Sequence, residues 1–250
     1  MRIFWKVLLA VFFALTFNSC ISLSVQKSMV HFDQAFIPVF FHVWKGDMVS
    51  AKSAVFNMST QWQQLYHNAQ KNLPEDVDWQ EGFRRTDVWL DDAMTFIDGN
   101  MQEYALAELD HARYELSEIR GFKGIPYYLD DLYDFQGNTA EVYDVASDDM
   151  LCLLEWGEFE KLVKDLDQQW KNIENKPFNN VLFEIDKIEK GRMVLMQKMI
   201  GLQMEDVMNA LDCGDHFAVA ERAKTVEITF MKMLCIFGHF PEMETAALNI

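Results

Sequence analysis

The chain has 250 residues and a formal net charge of −17 at pH 7, from 22 basic and 39 acidic residues. This balance disfavours binding to nucleic acid and to anionic lipid surfaces, because both would repel an acidic body. Apolar residues make up 50% of the chain and aromatic residues 14%, which excludes a disordered stalk and supplies a large core.

The first segment of the chain has the pattern of an export signal. Arg2 and Lys6 make a basic start, and an apolar run from Val7 to Phe17 is too short to span a bilayer. Ending at Cys20, the segment resembles the signal peptides of bacterial lipoproteins, in which the cysteine after the cleavage site is lipidated. The resemblance implies a lipid anchor on Cys20. An ordinary signal cleaved near residue 20 and an uncleaved anchor are the alternatives.

The remaining cysteines do not form a disulfide framework. With Cys20 lipidated, Cys152, Cys213 and Cys235 are left, and an odd number cannot all pair. Cys213 and Cys235 are predicted on one helix, roughly 33 Å apart at 1.5 Å per residue, which is beyond disulfide reach. We therefore expect buried free thiols, with Cys152 and Cys213 as the pairing to test.

The helices of the body follow in order between two kinds of break. Glycine followed by an acidic or amide residue occurs at 45–47, 98–100, 156–158 and 213–215. Such a glycine is expected to end one helix in the left-handed conformation, and the next residue to cap the following helix. Segments around Pro74, Pro126 and Pro177 mark joins between hairpins. The breaks predict eight helices in four hairpins.

Apolar residues step by four and three along three of these helices, the spacing that long helices packed about 20° from antiparallel require. They are Ala51, Val55, Met58, Trp62 and Leu65 in the second helix, Ala105, Leu109, Ala112, Leu116 and Ile119 in the fourth, and Val219, Ala223, Val226, Phe230, Met233 and Phe237 in the eighth. The pattern predicts an all-α fold of helical bundles. A solenoid of helical hairpins is the alternative.

Two pairs of similar segments indicate a duplication. The sequence "YALAE" at 104–108 returns as "FAVAE" at 217–221, and "QWQQL" at 61–65 returns as "QWKNI" at 169–173. We therefore predict two tandem antiparallel four-helix bundles, with Trp62 and Trp170 in their cores. The predicted divisions are a signal peptide over 1–19, a tether over 20–26, the first bundle over 27–121, the second over 125–241 and a C-terminal tail over 242–250.

The turn glycine and alanines of residues 97–120, and of their counterpart around 213–234, resemble exported four-helix bundles of the cytochrome b562 and cytochrome c′ type. The haem ligands of that family do not carry over. No Cys-x-x-Cys-His motif is present. The first half offers Met29 but no histidine near the end of its last helix, and the second offers His239 but no methionine near the start of its first helix. No cofactor is predicted.

Two patterns have the spacing of possible metal sites. Glu108 and His111 have the Glu-x-x-His spacing, but a di-metal site needs two such motifs, and the aligned segment in the other half ends in Lys224. Three thioethers, of Met193, Met196 and Met199, could hold copper(I). We favour an exposed ion pair for the first pattern and core filling for the second.

No nucleophile motif or phosphate-binding loop is present. The sequence favours a non-catalytic binding or interaction protein of the bacterial cell envelope, exported and attached to a membrane by its N-terminal lipid. It would face the periplasm or the cell exterior. Its expected partner is a protein and not a nucleic acid. The alternative is a periplasmic carrier that holds haem, copper or an apolar molecule in a bundle core.

Overall fold

The structure is a computed structural model that describes residues 2–72, 76–148 and 155–240, with side chains from residue 24 onward. Within these ranges the chain forms helices and no strand, as the sequence predicts. The helices are α1 (Arg2–Lys45), α2 (Met48–Asn72), α3 (Val77–Asp98), α4 (Gln102–Phe122), α5 (Tyr128–Ala146), α6 (Trp156–Asn175), α7 (Lys187–Asp212) and α8 (His216–Leu234), and a short 3-10 helix (Cys235–Phe237) follows α8. The predicted all-α bundle fold with eight helices in adjacent pairs is confirmed.

The chain divides into two compact units, Met1–Pro126 and Tyr127–Ile250. In the first unit, α1 packs closely along α2 and α3 along α4, and fewer contacts between α2 and α3 and between α1 and α4 complete a four-helix arrangement. Phe32, Phe36 and Phe40 follow one face of α1 at steps of four and are buried. Because residues four apart share a helix face, these rings form a continuous apolar surface for the core.

In the second unit, α8 makes the most extensive contacts, with α7 and with α5, while α5 with α6 and α6 with α7 complete the arrangement. An aromatic cluster closes one end of this unit. Phe178 and Phe183, from the segment between α6 and α7, pack on Phe237 and Tyr128 with ring centroids 5.0 to 6.4 Å apart. The segment around Pro177 therefore contributes to the core besides joining two helices.

The predicted turns are confirmed at two of the four glycines. Gly46 and Gly214 have φ angles of +79° and +71°. The aspartates that follow them accept hydrogen bonds from the first turn of the next helix, Asp47 from Ser50 N and Asp215 from Ala218 N. Here the glycine ends one helix and the acid caps the next, as expected.

The turn predictions are wrong in detail at the other two glycines. At the second break Asn100, with φ of 55°, takes the left-handed position, and Gly99 is right-handed. Asn100 does not cap α4, whose N-cap Met101 makes no side-chain hydrogen bond. Gly157 ends no helix, because α6 begins at Trp156 and its buried series starts at Phe159.

The cysteine and proline predictions have mixed outcomes. Cys235 is buried, as expected, whereas Cys213 is exposed because it caps the end of α7. Pro126 and Pro177 lie between helices. Pro38 lies inside α1.

Four predictions concern parts of the chain outside the described residues. The side chain of Cys20 and residues 73–75, 149–154 and 241–250 lie outside the described residues, so lipidation, Pro74, Cys152 and the tail stay as predictions. In the part of the chain that is described, no helix combines the length and the apolar character needed to cross a membrane.

Candidate functional site

Glu108 and His111 form a surface pair on α4. The Nδ1 atom of His111 lies 3.2 Å from Oε2 of Glu108, and the imidazole packs on the ring of Trp89 in α3 at a centroid distance of 4.7 Å. Side chains three residues apart on a helix surface are expected to meet in this way. Across the described residues, no three His, Cys, Asp or Glu side chains come together in a group that could hold a metal ion.

The three methionines of α7 point in different directions. Met193 is buried, Met196 is half-buried and Met199 is exposed. Since a step of three residues turns a side chain by about 300° around a helix, each successive thioether is displaced by about 60° from the last. The three sulfur atoms are therefore not arranged toward one point. Only Met193 fills the core as expected.

A groove of about 420 Å³ lies between α3 and α4 in the first unit, and we call it the α3–α4 groove. Three large apolar side chains at this groove face solvent, with exposed fractions of 74% for Val77, 62% for Tyr114 and 78% for Phe122. Buried Ile119 also lines it. Exposed apolar groups that cluster around a concave surface are typical of an interaction site.

A glycine on α3 determines how closely the two helices approach beneath the groove. A Cβ atom at residue 82 would lie 2.5 Å from Cγ1 of Ile119, which is closer than non-bonded carbon atoms allow. Gly82 therefore provides the space that the Ile119 side chain occupies. A larger residue there would push Ile119 toward the groove.

The two basic side chains of the groove are engaged with carboxylates. Nη2 of Arg85 lies 2.5 Å from Oε1 of Glu115, and Nζ of Lys123 lies 2.7 Å from Asp76, the residue that caps the start of α3. These hydrogen bonds raise the pKa of both Arg85 and Lys123, and the bond from Lys123 lowers the pKa of Asp76. The pairs tie α3 to α4 along the groove.

The remaining charge of the groove is negative. Four acidic and two basic residues line it, so the formal charge of its lining is −2. Asp78, for example, is well exposed and lies 3.6 Å from Lys123, which is already bonded to Asp76. The groove thus offers apolar contact area with an acidic rim.

The sequence patterns do not predict this groove. Its exposed apolar residues lie off the four-three series. Tyr114 and Phe122 could have signalled the groove, because both are large apolar residues that do not belong to the core pattern of α4. The sequence matches no family model, no curated protein and no solved structure.

Proposed function

We propose that this chain is an exported, lipid-anchored, non-catalytic interaction protein of the bacterial cell envelope, and that its α3–α4 groove binds a basic, apolar segment of a protein partner. The observation that carries the proposal is the group of three exposed apolar side chains, Val77, Tyr114 and Phe122, at one acidic groove. The basic start, short apolar run and Cys20 of the sequence support export and anchoring.

The contact chemistry of the groove favours a protein ligand. Aromatic side chains contribute much of the binding energy in protein interfaces, where they are surrounded by polar groups that exclude water. Tyr114 and Phe122 supply such side chains, and Asp78 and Glu118 supply carboxylates at the rim. Lysine or arginine on the partner would complement this rim and speed association.

Photo-crosslinking from the groove tests this proposal. The variant Tyr114→p-benzoylphenylalanine, expressed in the native host, is expected to form an adduct with one protein whose crosslinked peptide is basic and apolar. Binding of that purified partner is then compared between the wild type, Phe122→Ala and the control Phe56→Ala. Phe56 is 81% exposed on α2 and lies outside the groove, so the control removes a similar ring elsewhere in the unit.

We expect Phe122→Ala to weaken binding by at least tenfold and Phe56→Ala to leave it unchanged. Added salt should weaken binding of the wild type, because it screens charge pairs at an exposed rim. Equal effects of the two substitutions, or a crosslinked peptide that is acidic, would contradict the assignment of the groove.

The anchor is tested separately. Cys20→Ser is expected to move the protein out of the membrane fraction after a wash at about 1 M salt, where the Debye length of about 3 Å removes attachment by charge. Wild-type protein should resist the same wash. Release of the wild type by salt would rule out a lipid anchor while leaving the groove proposal standing.

A further inference from the structure

Helix α7 carries a second apolar surface on the side away from the core. Four exposed side chains form this surface, which we call the outer row: Ile188 (74% exposed), Leu195 (60%), Met199 (44%) and Leu202 (63%). At 1.5 Å per residue the row extends about 21 Å along the helix. Met193, Ile200, Met204 and Val207 meanwhile occupy the buried side. Helix α7 is therefore apolar on two sides, and the core of its own unit uses only one.

Basic residues flank the outer row in a chain that is otherwise acidic. From residue 187 to residue 202 there are four basic residues, Lys187, Lys190, Arg192 and Lys198, and one acid, Glu189, which gives a formal charge of +3 where the whole chain has −17. At about 100° per residue, Lys187 and Lys198 lie on one side of the row and Arg192 on the other. The apolar stripe thus has cations along both sides.

We propose that α7 lies on an anionic phospholipid surface. The outer row enters the boundary between headgroups and acyl chains, and Lys187, Arg192 and Lys198 reach the phosphate groups. Helices that lie in the membrane interface combine these two features, an apolar face and flanking lysine or arginine, and their binding depends on both. Long basic side chains keep their charge at headgroup level while their methylene groups cover apolar surface.

The net charge of the chain does not prevent this contact. At physiological ionic strength the Debye length is about 8 Å, so charges farther than that from the lipid are largely screened. The charge close to the row then dominates. That charge is positive at the N-terminal part of the row, whereas Asp167, Glu174 and Glu205 border a groove with Lys198 and Leu202 at its C-terminal part. Glu205 and Asp206 follow the row at its C-terminal end, so the N-terminal part of the row, from Ile188 to Leu195, is expected to contact lipid most closely.

A second copy of the chain fits the outer row less well. An antiparallel pair centred on Leu195 would place Ile188 opposite Leu202 of the other copy. The same register places Arg192 opposite Lys198, and like charges at facing positions oppose pairing. Charge complementarity therefore favours an anionic surface as the occupant.

Photo-crosslinking of the full chain tests the proposal in a way that does not depend on the N-terminal attachment, because the readout is taken at α7. Leu195→p-benzoylphenylalanine is irradiated on vesicles of phosphatidylcholine with about 30% phosphatidylglycerol, and its adducts are identified by mass spectrometry. The control is Gln168→p-benzoylphenylalanine, at an exposed position of α6 in the same unit. We expect phospholipid adducts at 195 and at least fivefold fewer at 168.

Charge is tested by reversal at matched positions. In the Leu195 probe background, Lys187→Glu with Lys198→Glu should lower the lipid adduct at least fivefold, whereas Lys161→Glu with Lys232→Glu should leave it unchanged. All four lysines are exposed, so both pairs change the net charge equally, and circular dichroism verifies that each variant remains helical.

Equal lipid adducts at 195 and 168, or equal effects of the two charge reversals, would overturn the lipid contact. So would adducts in the native envelope that are exclusively with another protein or with a second copy of the chain. These outcomes do not test the α3–α4 groove, because none of the residues changed in these experiments lines it.

Discussion

Two tryptophans hold corresponding places in the two units, and their indole N–H groups have different surroundings. Nε1 of Trp62 donates to Oδ1 of Asp87 at 2.6 Å, and its ring stacks on Phe83 at 5.3 Å. Nε1 of Trp170 is buried and has no acceptor among the described residues, and a Cβ atom at Gly201 would lie 3.5 Å from it. Both side chains lie in the core, as predicted, but of the two only Trp62 donates a side-chain hydrogen bond within the described residues.

We expect Trp62→Phe to lower the free energy of unfolding more than Trp170→Phe does. Both substitutions remove the same ring atoms, so their difference reports the hydrogen bond, which is worth about 1–3 kcal/mol because Asp87 loses its donor. Denaturant unfolding of the two variants, compared with the wild type, measures this difference. Equal losses would show that the bond to Asp87 adds no net stability.

Tyr128 makes stability depend on pH in the alkaline range. Burial raises the pKa of its phenol to about 12, and the hydrogen bond from Gln197, at 3.2 Å, only partly opposes this. The pKa in the unfolded chain is about 10. Between these values the unfolded chain has released a proton that the native protein still holds, so unfolding becomes easier as pH rises.

The expected loss between about pH 9 and about pH 11.5 is about 2 kcal/mol from this group alone. Denaturant midpoints at about pH 9 and about pH 11.5 measure it. Tyr128→Phe is the control, because phenylalanine cannot titrate and the variant should lose less stability over the same interval. A loss of the same size in both proteins would assign the effect to other groups.

At the scale of the helices, periodic patterns predicted far more than single residues did. The four-three series of α4 and α8 are fully buried, because a helix places residues at those steps on one face. The conformation of a turn depends on which residue reaches the left-handed region, and at the second break Asn100 does so in place of Gly99. Asparagine adopts that region more readily than most residues, so glycine alone did not determine the turn.

The candidate surfaces were not predicted, for a related reason. A periodic series identifies the face that packs inward, but it does not say whether an apolar residue outside the series is covered by another helix. Tyr114 and Leu195 are both such residues, and only the packed structure shows that they are exposed. Because a groove forms between two helices, its residues are distant in sequence and share no local pattern.

Gly82 provides a test of packing between α3 and α4. Gly82→Ala should gain about 1 kcal/mol from helix propensity and lose about 1–3 kcal/mol from overpacking against Ile119, for a net destabilisation. Gly157→Ala is the control, because residue 157 is helical and a Cβ atom there meets nothing within 4 Å. We expect Gly157→Ala to raise the melting temperature and Gly82→Ala to lower it. A higher melting temperature for both would mean that Ile119 moves into the groove at no cost.

At the scale of the whole molecule, the two units have the same order of four helices but different closest pairs. In the first unit the closest pairs are α1 with α2 and α3 with α4, whereas in the second α8 packs extensively on both α5 and α7. The similar segments predicted a repeated set of helices, and four helices do fall in each unit. The repeat in the sequence therefore predicted how many helices each unit has, but not which of them pack most extensively on each other.

The two units are expected to unfold independently of each other. Trp62 and Trp170 are buried in different units, and truncating a buried tryptophan to alanine costs about 3–5 kcal/mol. Because distant sites act independently, each effect should be confined to its own unit, and the two losses should add in the double variant. Hydrogen–deuterium exchange read by mass spectrometry resolves this: Trp62→Ala should speed exchange in peptides from α1 to α4, and Trp170→Ala in those from α5 to α8. If either variant speeds exchange throughout the chain, the two units share one cooperative transition, and the stability of each depends on the other.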